Sequence, residues 1–284
     1  MRNIAVIDEA FDSSNTAAYH LSILYGERNF SFAILDTVSL RYIAFKNIWF
    51  DEPIPSPDLT NHIRSILNTE SYLTRTFKSI FFLYQTPLSV LIPSPLFRPE
   101  NPEEYFRFSS LLLPSDKILF RRIPAIDAYV IFPIPGDLMN QVGFMLQNVQ
   151  FFHQACPQID EAFSESQSLA DAAQVIANIH PGFADLLIIK SNQLILYNSF
   201  TIKNTDDLVF FILYLYEQFS LSQEESPVIL SGYIEMYPGI TEVLHQYLKN
   251  IVIRKLPGIY TYSQSFSGLT QHHLSPLINL ARCE

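Results

Sequence analysis

One supersecondary pattern occurs twice in this chain. Residues 21–48 run in parallel with residues 175–202: Phe30 falls on Ala184, Phe32 on Leu186, Ile34 on Ile188, Leu35 on Ile189 and Leu40 on Leu194. The polar turn at 36–39 falls on Lys190 to Gln193. Later, the string LFRRIP at 119–124 matches VIRKLP at 252–257. Any alternating strand resembles another. An ordered series of three strands, helix, strand, helix, strand, met twice, is far more restrictive. It points to an α/β fold with α+β mixed sheets, built from two similar halves.

Strand patterns fall at 19–25, 30–35 and 41–50, joined by turns short enough for hairpins. After a proline-rich break at 51–57, Leu59, Ile63, Ile66 and Leu67 mark one face of a helix capped by Asp58 or Ser56. A buried strand spans 78–85, and 88–92 is placed to pair back on it. Asn101, Pro102, Glu103 and Glu104 read as a helix start, with the helix ending near Leu113 and Pro114. Strands at 118–123 and 128–132 and a helix at 137–147 complete the first half. A connecting helix is expected within 155–173.

The second half repeats this order. It has strands at 174–178, 185–189 and 193–202, a helix at 205–220 and a strand at 227–231. Ile240, Val243, Leu244, Tyr247 and Leu248 form a helical stripe, followed by a strand at 251–256 and a last helix at 274–281. Residues 1–16 read as a loose lead-in. The helix at 205–220 is apolar nearly all round, so it is expected to lie buried between the halves. Asp206 and Asp207 in its first turn complement the helix dipole.

Composition excludes several classes. The net charge of −10 disfavours nucleic acid as a partner, because phosphate binding needs a basic face and the longest cationic cluster is Arg121–Arg122. No apolar run is long enough to span a bilayer, and the N-terminal residues lack a signal-peptide pattern. Two cysteines, Cys156 and Cys283, make no disulfide framework, so a reducing, cytoplasmic setting is expected. The eight glycines are widely scattered. The closest pairs, Gly136 with Gly143 and Gly232 with Gly239, are too far apart for any G-x-G or Walker-type phosphate loop. The 23 Phe and 15 Tyr are mostly core, with 81–97 and 260–266 as candidate partner surfaces.

The string NIHPGFADLLIIKSNQLILYNSFTI at 178–202 resembles the phosphate hairpin of the actin-like ATPases, in particular the PilM-like pilus-assembly members. LILYNSFTIKNTDDLVFFILYLYEQF at 194–219 with VILSGYIE at 228–235 resembles an uncharacterised bacterial family with that fold. The resemblance implies two duplicated ribonuclease H-like domains, at 17–154 and 155–284, with the last helix packing back on the first. It also implies where nucleotide would sit. Gly26, Glu27 and Arg28 form the first phosphate turn, and Asn178, His180 and Gly182 the second. Ser231 and Gly232 stand on the adenine side.

Those residues depart from the active pattern. No aspartate precedes Gly26, and Glu27 would repel phosphate. Asn178 stands in place of an aspartate and is a poor Mg²⁺ ligand. Pro181 removes a donor N–H, and Tyr233 is bulky where a small residue is wanted. The sequence therefore leads to a non-catalytic actin-like scaffold with no catalytic residue, no cofactor and an unknown protein partner. The alternative is an ATP-dependent enzyme or switch with a divergent site between the domains.

Other constellations are weaker. His153 and Cys156 make at most half a metal site. His272 and His273 are expected to be solvated or capping. Asp36 and Asp185 do not suit a two-metal nuclease, because the first strand carries Ile23 and Leu24 where a carboxylate is needed. Serines before prolines, such as Ser56, Ser94 and Ser226, mark turns. An unrelated two-domain α/β enzyme would show a deep polar cleft away from the hairpins.

Overall fold

A computed structural model describes residues 3–55, 58–106, 112–166 and 173–283. The chain opens with β1 (Ile4–Ile7), followed by β2 (Tyr19–Tyr25), β3 (Asn29–Asp36) and β4 (Arg41–Trp49). Next come α1 (Leu59–Thr69) and β5 (Ser79–Tyr84). An excursion through β6 (Val90–Pro93), β7 (Asp116–Ile123) and β8 (Ala128–Pro135) precedes α2 (Gly136–Met145) and β9 (Val149–His153). Helix α3 (Ala155–Ser166) leads to β10 (Gln174–His180), β11 (Phe183–Lys190) and β12 (Gln193–Thr201). Then come α4 (Thr205–Gln218), β13 (Val228–Gly232), α5 (Ile240–Leu244) and β14 (Ile251–Ile253). The chain closes with β15 (Thr261–Tyr262) and α6 (Gln271–Leu280).

The first sheet has the order β1-β4-β3-β2-β5-β9, and the second β12-β11-β10-β13-β14. Both contain an antiparallel trio followed by two parallel additions. Their registers agree in detail. Leu21 pairs with Ile34 and Ile80, while Val175 pairs with Ile188 and Val228. Each trio is interrupted once, between Ile34 and Leu35 and between Ile188 and Ile189. These are equivalent places, and an irregularity there re-aims every side chain beyond it.

Several sequence expectations are corrected. LFRRIP lies in β7, in the separate three-stranded sheet β6-β8-β7, so it has no counterpart in VIRKLP. The strand that matches β14 is β9, which joins the first sheet parallel to β5 as β14 joins β13. β6 pairs with β8 rather than β5. The lead-in is partly ordered, since β1 pairs with β4 and turns Ile4 and Val6 toward the interior. Of the helix expected from Asn101, the described part is a single 3-10 turn, Pro102–Phe106; residues 107–111 lie outside the described residues. The stripe from Ile240 makes only the short α5, and β14 stops at Ile253.

Helix α4 is not between the sheets. It covers the outer face of the second sheet, burying Leu208, Ile212 and Leu215 and leaving Phe210 61% exposed. Helices α1 and α2 cover the outer face of the first sheet in the same way. Among the described residues no helix is long and apolar enough to cross a membrane.

The third core lies between the two sheets. Alternation decides which residues reach it. On β2, Leu21, Ile23 and Tyr25 face outward to α1 while Leu24 faces inward; on β10, Val175, Ala177 and Ile179 face α4 while Ile176 faces inward. The inner faces close on α3 (Ala155, Cys156, Ile159, Ala162) and α6 (Leu274, Leu277, Ile278). Glu161 places a buried carboxylate within this layer. It accepts from Arg254 Nη1 at 2.9 Å, Ser275 Oγ at 2.6 Å and Asn279 Nδ2 at 2.7 Å. Tyr42 of the first sheet donates to the Ile278 carbonyl of α6 at 2.7 Å.

Removing Glu161 takes from buried Arg254, Ser275 and Asn279 the acceptor that all three share. Glu161→Ala is therefore expected to cost about 3–5 kcal/mol. Urea unfolding checks this: the midpoint should fall with an unchanged slope, and a loss under about 1 kcal/mol would contradict the assignment.

Candidate functional site

The β2–β3 and β10–β11 turns open onto one cleft of about 240 Å³, lined by Glu27, Arg28, Tyr84, Gln85, Pro181 and Gly182 among others. The first turn is pinned by backbone bonds. Gly26 N donates to Asn29 O at 2.9 Å, and the Glu27 and Arg28 carbonyls accept from Ile54 and Phe50. A Cβ on Gly26 would stand 2.8 Å from Gln85 Oε1, so the loop after β5 packs directly against this turn. The second turn, Pro181–Gly182, places Gly182 at φ 84° in the left-handed region that favours glycine.

Behind the cleft lies a buried polar network. Gln85 Nε2 donates to His180 Nδ1 at 2.7 Å, which leaves the ring proton on Nε2, 2.9 Å from Asp185 Oδ2. Gln158 of α3 donates to the same oxygen at 3.0 Å, and Ser199 donates to Oδ1. His180 and Asp185 are almost fully buried. Burial alone would raise the Asp185 pKa, but His180 and the Ser199 hydroxyl outweigh it and hold the carboxyl below its usual range. The loop carrying Gln85 is itself clamped. His153 Nε2 and Gln154 Nε2 both donate to the Thr86 carbonyl, at 2.9 and 2.6 Å. His153 Nδ1 accepts from Ala155 N at 3.1 Å. Both ring nitrogens are thus used by the backbone, so His153 and Cys156 do not form half a metal site.

Asn178 faces inward between Asp185 on β11 and Ser231 on β13. It is 1% exposed, and neither atom of its amide has a hydrogen-bond partner among the described residues. Such groups are rare in folded proteins and mark a place where something else is needed or has been lost.

Ser231 and Gly232 do not line the cleft. They lie under the start of α6, where His272 Nδ1 donates to the Gly232 carbonyl at 2.7 Å. Gly232 has φ 81°, and a Cβ there would sit 2.1 Å from the Ile179 carbonyl. The glycine is therefore required by the close approach of the end of β13 to the backbone of its neighbour β10. Tyr233 fills the seam beyond it. Its hydroxyl accepts from Asn29 Nδ2 at 2.8 Å, and its ring packs edge-on to Trp49 at 5.3 Å.

Sequence reasoning put Gly26, Glu27, Arg28, Asn178, His180, Gly182, Ser231 and Gly232 in one nucleotide site; of these Glu27, Arg28 and Gly182 line the cleft, while Asn178 and His180 are buried. It missed Gln85, Gln158 and Ser199. None belongs to a phosphate-loop motif, and their only signal was polar residues inside otherwise apolar segments. A larger hollow of about 640 Å³ lies away from the hairpins, with Arg121, Arg122, Asp160 and Arg282 on its walls. Arg121 and Arg122 donate to Phe151 O and Asp127, and Arg282 donates to Ser164 on the wall of the same hollow, so each is tied to a different partner.

A family model, "Protein of unknown function (DUF3822)", matches residues 8–251. The chain belongs to this family. Among solved structures, the DUF3822 chain is similar to a Bacteroides thetaiotaomicron protein described as having an actin-like ATPase fold and unknown function. That match has a TM-score of 0.76 at 20% identity over 86% of this chain and 93% of that one. It also resembles PilM in a PilM–PilN type IV pilus biogenesis complex, with a TM-score of 0.55 at 11% identity over 93% and 96% of the two chains. The ethanolamine utilization protein EutJ from Carboxydothermus hydrogenoformans follows, with a TM-score of 0.53 at 9% identity over 98% and 93%. Among curated proteins none matches. The DUF3822 chain thus has the actin-like ATPase fold, and likeness at these identities establishes the fold alone.

Two outcomes follow from this geometry. Gly232→Ala should cost more than about 3 kcal/mol, because the clash is with backbone that cannot yield. Gly182→Ala meets open space and should cost only about 1–2 kcal/mol for its left-handed backbone. Chemical denaturation of both variants checks the order.

Burial also pushes His153 and His20 down to about 4. The unfolded chain protonates its histidines near 6.5, so stability is full above that pH and drains as pH falls toward 4. Between pH 7 and 5 the loss should be about 2 kcal/mol per histidine. A flatter stability–pH curve for the His20→Gln, His153→Gln double variant checks it.

Proposed function

We propose that the DUF3822 chain is a non-catalytic member of the actin-like fold, a binding or assembly scaffold whose interdomain site no longer processes nucleotide. The single observation that carries this is Asn178. The resemblance places a carboxylate there, and the chain has a buried amide without a hydrogen-bond partner among the described residues. Mg-ATP does not fit the surrounding residues. Glu27 brings negative charge to the cleft, Pro181 offers no N–H, and the charged Asp185 is already paired with His180. A buried bridge from Gln85 to His180 joins the two halves where phosphates would need to enter.

We read the halves as duplicated ribonuclease H-like domains, at 17–154 and 155–284. The matching registers and matching strand irregularities support this. The free, buried cysteines suit a cytoplasmic setting. A protein partner is part of the proposal. PilM occurs in a complex with PilN, and this chain leaves Phe210 and Tyr214 stacked on the outer face of α4. The second reading, a ligand-dependent switch, draws on the same orphaned amide and on the cleft in front of it.

Thermal unfolding distinguishes the two. A binder at about 100 times its dissociation constant gains about 2.7 kcal/mol. The scaffold should show no shift with Mg-ATP or Mg-ADP. Asn178→Leu removes an unpaired polar group at similar volume, so in a scaffold it should be neutral or stabilising by about 1–3 kcal/mol. A nucleotide-dependent rise in melting temperature that Asn178→Leu abolishes would overturn the proposal.

A further inference from the structure

Outside the cleft, Glu235, His272 and His273 bring three ligand-type atoms within 4.8 Å of one another. Glu235 comes from the turn after β13, and the two histidines from the first turn of α6. The histidines are neither solvated nor capping: their side chains are 11% and 17% exposed, and the cap position, Thr270, makes no side-chain bond. We propose that this trio binds a divalent transition cation of the zinc class.

The hydrogen bonding of His272 carries the argument. Its Nδ1 lies 2.7 Å from the Gly232 carbonyl, which can only accept, so the proton is on Nδ1. In the neutral ring the Nε2 lone pair then points at Glu235 Oε1, 3.2 Å away. Two acceptors face each other, and a cation between them resolves the conflict. The other oxygen of the same carboxylate meets His273 Nε2 at 2.6 Å. Two imidazole nitrogens and one carboxylate are a donor set that suits zinc with open positions for water. The bond to Gly232 is the kind of outer-shell contact that orients metal-ligating histidines.

Ligands about 2.1 Å from a tetrahedral ion stand about 3.4 Å apart. The His272 to Glu235 distance already fits, and half-exposed Glu235 has room to swing away from His273. The ion would tie the end of β13 to the start of α6, the helix that lies between the sheets. This inference does not depend on whether the interdomain cleft binds nucleotide.

The rival occupant is a proton, making His272 an imidazolium paired with Glu235. The test uses the full, tag-free chain stripped with chelator at pH 7.5. Titration with Zn²⁺ by calorimetry should show one saturable site, with a raised melting temperature. Co²⁺ should give the visible absorption bands of a four- or five-coordinate site. Glu235→Gln and His273→Gln, both at partly exposed side chains, should each weaken Zn²⁺ binding at least tenfold. Metal-free melting of both variants verifies that they fold. No saturable uptake below about 1 mM, or uptake undiminished in the Glu235→Gln, His273→Gln double variant, would leave only the proton and overturn the site.

Discussion

The structure depends on a layer that both sheets must share. Each sheet buries its outer face under its own pair of helices, but the inner faces close on the same two helices, α3 and α6. Neither half can complete its core alone. A shared layer at native packing density transmits any misfit to both sheets. Its polar groups are correspondingly tied down. Glu161 joins α3, α6 and the segment after β14 at one side. The Gln85–His180–Asp185–Gln158 network joins the two halves beside the hairpin turns.

What was legible in the sequence follows from what strands must obey. The trios β2–β4 and β10–β12 were visible because alternating apolar residues with short polar turns leave few other options. The buried face of α1 was equally plain from Leu59, Ile63, Ile66 and Leu67. The errors came where local pattern does not encode the partner. An edge segment such as Ile4–Ile7 is too short and half-exposed to stand out, and it becomes a strand only because β4 offers an open side. The β6–β8 excursion displaced the apparent second repeat, since Leu119 to Ile123 alternates as well as any strand of the main sheets. Helix α4 reads as apolar all round, but its excess aromatic residues, Phe210 and Tyr214, face outward, and periodicity alone carries no such information.

The candidate site was half legible for the same reason. Turn residues Gly26 and Gly182 are announced by local chemistry. Gln85, Gln158 and Ser199 lie on three different elements and meet only through the shared layer. Gly232 is the instructive case. In a nucleotide-binding member a glycine at the end of this strand reads as room for a ligand. Here the Ile179 carbonyl occupies that room, so the glycine serves the close approach of two paired strands. A glycine retained in a ligand-binding fold therefore says nothing about ligand until its neighbours are known.

The hydrogen bonds across the seam bear on how such a fold can move. A cleft that admits and releases nucleotide must open, and opening separates whatever spans it. In this chain the spanning groups are buried: Gln85 to His180 and Asn29 to Tyr233. Parting them would expose or orphan polar atoms that now satisfy one another, at about 1–3 kcal/mol for each unpaired group. Fixed side-chain bonds of this kind across a seam oppose its opening as a hinge. Asn178, buried beside these groups, has no hydrogen bond to the described residues and adds nothing to that resistance.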